Sequence, residues 1–230
     1  MGYDTIGLTA NTWYLVAPQF KQVSATTDIV DLLGNVTFTG LQAVPFASRA
    51  TGAQIQIYDS ANEKYSIYYY ISDSKNGTAW AKSKNVVPET IPLSLGEGFW
   101  FKTGTLEGDT ASLRVLGSVK SEISKTINVG VDGEWMIACN PYPVALSWDN
   151  VTTSLEAKPF ANRNTDCAQI QVYDAANEKY SIYYYISDSK NGTAWAKTKN
   201  TLATGTMAEA GQAFWVKAPT SGSLTFTFSN

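Results

Sequence analysis

The residues that could do chemistry in this chain are carboxylates, and they stand in two matched sets: Asp59, Glu63 and Asp73, then Asp174, Glu178 and Asp188. A pair of carboxylates can hydrolyse a glycoside, one acting as acid and the other as base or nucleophile. The local sequence points elsewhere. Asp59 and Glu63 lie in "YDSANEKY" and Asp73 in "SDSKNG", stretches in which Asp and Asn side chains bind nearby backbone to hold turns. Turn chemistry accounts for them, so no catalytic residue is assigned. Histidine is absent, which removes Ser-His-Asp triads, Cys-His pairs, histidine-bound zinc and imidazole proton shuttles. The expectation is a protein that is not an enzyme, with no cofactor and no metal.

Two weaker patterns overlap the same turns. "SDSKNG" brushes a calcium-loop pattern, with Asn76-Gly77 at its fifth and sixth positions, but Ser72 and Ser74 stand where that loop needs carboxylates. "NVT" at Asn35 and Asn150 and "NGT" at Asn76 and Asn191 are glycosylation sequons in a source that modifies them, and otherwise strand and turn residues.

What must position these residues is a repeat. The sixteen residues "YSIYYYISDSKNGTAW" at Tyr65 to Trp80 recur unchanged at Tyr180 to Trp195. Aligning Ala53 with Ala168 gives an offset of 168 − 53 = 115, which holds without a gap to Lys102 and Lys217. From Ala53 to Asn85 only Ile57/Val172, Ser60/Ala175 and Ser83/Thr198 differ. Upstream, Trp13 faces Trp135, and "PFASR" (Pro45 to Arg49) matches "PFANR" (Pro159 to Arg163). A long period occurring twice reads as tandem domains, expected at 1–120 and 121–230.

The segments "IQIYD", "KYSIYYYIS", "GFWFK" and "SLRVLGSV" are short β-branched and aromatic runs bounded by turn residues. Asn76-Gly77 fits a tight hairpin turn. The fold expected is all-β: two tandem homologous antiparallel β-sandwiches or small barrels, from an internal duplication. Only "TTDIVDLLGN" looks able to make a helical turn, capped by Thr27 or Asp28 and stopped at Gly34. Cys139 aligns with Ala17 and Cys167 with Gly52, so the two cysteines occur together in one repeat. That pairing predicts a Cys139–Cys167 disulfide, or adjacent thiols, and with the bond an oxidising setting; two unrelated buried thiols are the alternative.

Alternation along the strand puts Tyr65, Ile67, Tyr69 and Ile71 on one face, read as core, and Ser66, Tyr68, Tyr70 and Ser72 on the other. The candidate binding or interface residues are therefore Tyr68, Tyr70 and Trp80 with Tyr183, Tyr185 and Trp195. Three readings stay open for that face: packing inside the domain, a subunit interface anchored by Tyr and Trp, or a platform on which sugars stack.

Charged residues are 16% of the chain and the net charge is −3, without the basic cluster that nucleic acid or an anionic membrane would need. No segment reaches the length of an apolar membrane span, and the N-terminal stretch lacks the basic start and apolar run of a signal peptide. The function expected is structural: a self-assembling subunit of an extracellular surface layer, fibre or virion, with itself as partner, through the repeated hairpin. The alternative is a bivalent carbohydrate-binding or adhesive module, whose partner is a glycan. Neither nucleic acid nor membrane insertion is expected.

Overall fold

The structure, a computed structural model, describes residues 2–18, 20, 29–73, 75, 77–94, 96–108, 110–118, 124–129, 134–140, 142–188 and 192–227. The chain divides into two compact units, Met1–Val119 and Lys120–Asn230. Each is built almost wholly from antiparallel strands in several sheets, none of which closes into a barrel. The sandwich half of the expected fold class is what the sheets resemble.

In the first unit the main sheet runs Trp13–Val16, Phe99–Lys102, Gln54–Asp59, Lys64–Asp73, Gly77–Ala81. A second sheet runs Gly2–Leu8, Ala111–Gly117, Val36–Thr39, and Ile29–Asp31 pairs with Pro92–Ser94. In the second unit the main sheet is Trp135–Cys139, Ala213–Lys217, Gln169–Asp174, Lys179–Asp188, Gly192–Thr198, Thr201–Leu202. Its second sheet is Ser124–Val129, Gly222–Thr227, Val151–Thr153, with Leu146–Ser147 against Thr206–Ala208. The order of strands corresponds position by position, apart from the extra edge strand.

Both cores lie between a main sheet and a second sheet. In the first unit Ile55, Phe99, Phe101 and Trp80 meet Val36, Leu113 and Val115; in the second, Ile170, Phe214, Val216 and Trp195 meet Val151, Leu224 and Phe226. Among the described residues no helix is long and apolar enough to cross a membrane. The one α-helical turn among the described residues is Leu32–Asn35. Asp31 caps it, its carboxylate accepting from the Leu33 N–H at 3.1 Å and from the Ile91 N–H at 3.0 Å. Gly34 lies inside that turn instead of ending it, while Thr27 and Asp28 fall outside the described residues.

No disulfide joins Cys139 and Cys167, and sheet register explains why. Cys139 pairs with Ala213, whereas Gln169, two residues beyond Cys167, pairs with Lys217. The two positions differ by 217 − 213 = 4 residues along one strand, about 13 Å at ~3.3 Å per residue; Cys167 lies farther out still. A disulfide needs Cα atoms within about 7 Å. Each cysteine is instead a local packing residue. At Gly52 an added Cβ would come within 2.5 Å of the Val44 side chain. In the second unit Lys158 takes Val44's place and turns to Glu156 at 2.7 Å, so the Cys167 side chain fits, its sulfur 3.8 Å from the Lys158 and Pro159 carbonyls.

Burial pushes the Cys167 thiol above its ordinary value, helped by Asp166 and opposed by Arg163 and Lys158. Both thiols are buried, so a thiolate-selective reagent is expected to label the native protein slowly and, once it is unfolded without reductant, to label two thiols per chain. An unfolded, unreduced chain with no reactive thiol would show that the bond forms.

Candidate functional site

The hairpin that repeats is built in the same register in both units. Tyr70 pairs with Trp80 and Tyr68 with Ile55; Tyr185 pairs with Trp195 and Tyr183 with Ile170. Paired residues share a face, so Tyr68, Tyr70 and Trp80 look toward the second sheet, on the side of Ile55 and Phe101. Trp80 lies 5.2 Å from both Tyr70 and Phe38, ring centre to ring centre, and Tyr185 lies 5.1 Å from Trp195. Trp80 and Trp195 are buried, and the four tyrosines are half-buried against the two cores. The face left open between solvent, partner and interior is thereby the inner side, while Ile71 and Ile186, read as core, are buried on the opposite face. Of the three readings of these six rings, packing within the unit is the one their positions display.

The other side, read as core, is the outer face. It carries a second set of rings. Trp13 meets Trp100 edge to face at 6.0 Å and 89°, and Trp135 meets Trp215 at 6.1 Å and 88°. Tyr58 and Tyr65 lie 5.1 Å apart, as do Tyr173 and Tyr180. The end around Ile71 is covered by "PFASR". Its 3₁₀ turn Phe46–Ser48 sets Phe46 on Tyr69 at 6.3 Å, with the Arg49 guanidinium 4.4 Å from the Phe46 ring centre. Phe160, Tyr184 and Arg163 repeat this at 5.9 and 4.8 Å. Buried Gln54 ties the loop down, its amide donating to the Ala50 carbonyl at 3.2 Å, as Gln169 does to Arg163.

The carboxylates hold turns. Asp59 accepts from the Asn62 side chain at 2.7 Å and its backbone N–H at 3.2 Å, and Asp174 does the same with Asn177. The Asn62 and Asn177 side-chain hydrogen bonds are the main reason both carboxyls sit below the usual carboxylate value. Asp73 accepts from the Lys75 N–H at 2.8 Å. Ser74, Asn76 and Asn191 lie outside the described residues, and with them the calcium-loop pattern, the two "NGT" sequons and the Asn half of the hairpin turn. Gly77 has φ 64°, a conformation glycine adopts without penalty. Among the described residues no cluster of three or more His, Cys, Asp or Glu side chains is gathered as a metal ion would need.

One site departs from the repeat. The second unit holds a cavity of about 520 Å³, with Trp148, Tyr185 and Trp195 in its wall and Asp149, Thr153, Thr193 and Thr204 among its polar lining. Trp148 packs 4.5 Å from Tyr183 and 5.9 Å from Trp195. The indole N–H groups of Trp148 and Trp195 are shielded from solvent and have no acceptor among the described residues. An unsatisfied buried donor costs about 1–3 kcal/mol. In the first unit the equivalent space is filled. Phe38 pairs with Leu113 as Thr153 pairs with Leu224, and the Phe38 ring packs 5.2 Å from Trp80 and 4.8 Å from Phe101. Sequence reasoning singled out Tyr185 and Trp195 but missed Trp148. The signal was there in "LLGNVTFT" against "LSWDNVTT", where both Trp148 and the Phe38/Thr153 exchange can be read.

The chain matches no family model, and comparison with curated proteins and with solved structures returns no match.

Since Trp80 and Trp195 are buried against both sheets, Trp80→Ala and Trp195→Ala are each expected to cost about 3–5 kcal/mol of stability, seen as a lowered denaturant midpoint with an unchanged slope. Loss of less than about 1 kcal/mol from either would place that ring at the surface.

Proposed function

We propose that the chain is a non-enzymatic structural protein, a self-assembling subunit of an extracellular surface layer, fibre or virion, whose two units arose by tandem duplication and offer neighbouring copies the same surface twice. The observation that carries this is the pair of hairpin tips. Asn62-Glu63-Lys64-Tyr65 and Asn177-Glu178-Lys179-Tyr180 are identical and exposed throughout. Packing within a unit explains the retention of the rings, but not of an exposed Glu-Lys pair.

The backbone sharpens the point. Glu63 has φ 49° and Glu178 φ 51°, a left-handed conformation that costs an ordinary L-residue roughly 1–2 kcal/mol and favours Gly or Asn. Both tips keep Glu there in spite of that cost. Adjacent opposite charges make each tip self-complementary about a two-fold axis, Glu63 of one copy facing Lys64 of the next, which is the form an isologous contact takes. Duplication is supported by the gapless offset of 115 from Ala53 to Lys102 and by the matching strand order. The extracellular setting rests on low charge and β texture, and the cysteines no longer add to it.

Native mass measurement and electron microscopy test the assembly. Wild type is expected to form oligomers or a lattice. Glu63→Lys with Glu178→Lys is expected to dissolve them, and adding Lys64→Glu with Lys179→Glu to restore them. A wild type that stays monomeric at high concentration contradicts the reading.

A further inference from the structure

We propose that the cavity of the second unit binds a neutral hexopyranose, taken as one residue of an oligosaccharide. A pyranose presents C–H groups on its faces and hydroxyls around its edge, so its site needs an aromatic wall beside a ring of hydrogen-bonding groups. Trp148, Tyr185 and Trp195 form such a wall, and Asp149, Thr193 and Thr204 bring a carboxylate and two hydroxyls to the same cavity. Its volume of about 520 Å³ lies inside the roughly 300–1,000 Å³ usual for small-molecule sites. A purely apolar ligand would leave the polar lining without partners. An anionic sugar or phosphate would meet Asp149 with no lysine or arginine among the lining residues to offset it.

The two indole N–H groups give an independent reason. Trp148 is 5% exposed and Trp195 6% exposed, and neither N–H has an acceptor among the described residues. A small rotation of either ring at the cavity wall would let a sugar hydroxyl accept that hydrogen bond, recovering what burial of the donor had lost. In the first unit Phe38 packs against Trp80 and Phe101 at the position where the second unit has Thr153. The site lacks a counterpart at the equivalent strands of the first unit among the described residues, unlike the bivalent module that repetition alone suggests. It does not depend on self-assembly through the hairpin tips.

The test is an NMR titration of the full ¹⁵N-labelled chain with maltotriose, cellotriose, chitotriose and mannotriose, and with sialyllactose as the anionic comparison. At least one neutral trisaccharide is expected to shift the indole N–H signals of Trp148 and Trp195 while leaving those of Trp13 and Trp100 in place, with a Kd of about 1 mM. Thr153→Phe copies the filled first unit and is expected to weaken binding at least about tenfold with the rest of the spectrum intact. Thr193→Val with Thr204→Val, both exposed positions, should weaken it without disturbing the fold. The proposal is overturned if no neutral trisaccharide moves those two signals, if sialyllactose binds as tightly, or if the filled and hydroxyl-free variants bind like wild type.

Discussion

The cross-strand pairing of the tyrosine-rich strand with its returning tryptophan governs the rest of each unit. Tyr70 opposite Trp80, and Tyr185 opposite Trp195, commit one face of the strand to the sandwich interior. Because side chains alternate, a slip of one residue would exchange the faces completely. Once the inner face is committed, Tyr69 and Ile71 must lie outside, and a large apolar pair there needs its own cover. The Pro-Phe turns supply it, which explains why "PFASR" and "PFANR" accompany the hairpin although they lie well before it in sequence. The strand is thus enclosed at one end on both sides and open at the other, where it reaches the exposed tip.

The two units show one frame with two ways of filling it. Strand order and ring geometry on the outer faces agree to within a few tenths of an ångström, as between the Trp13–Trp100 and Trp135–Trp215 pairs at 6.0 and 6.1 Å. Inside, a phenylalanine on the second sheet closes one unit, while the other brings in Trp148 from the preceding turn and leaves space beside it. Gly52 against Val44, and Cys167 beside Lys158, make a similar exchange of volume on the opposite face. Retained side chains therefore mark the frame and the tips, and exchanged ones mark where the units diverge in what they can hold.

Much of this was legible in the sequence. Alternating aromatic runs and turn residues pointed to the antiparallel hairpins, and the gapless offset from Ala53 to Lys102 to the two-part organisation. Which face turned inward was not legible, because both faces carry tyrosines and the serines at 66 and 72 argued for solvent. The deciding fact is the register that places Trp80 opposite Tyr70, and that depends on a turn two residues away from the pattern being read. The cysteines misled for a different reason. Their joint appearance in one repeat suggested contact, but the register holds them apart, and Cys167 answers a local change in volume where the first unit has Gly52 against Val44. The cavity arises from a loss, Thr153 where Phe38 stands, and a loss gives no motif; only the comparison of two equivalent stretches reveals it.

The repeated hairpin is first the packed spine of each unit, with its rings turned inward, and only at its tip a surface. Amide hydrogen exchange measures this most directly. The backbone amides of Tyr68 to Ile71 and of Tyr183 to Ile186 are expected to exchange only through global opening of their units, among the slowest in the chain, while those of Asn62 to Lys64 and Asn177 to Lys179 exchange rapidly. Fast exchange through the tyrosine-rich strands, at rates like those of the tips, would contradict it.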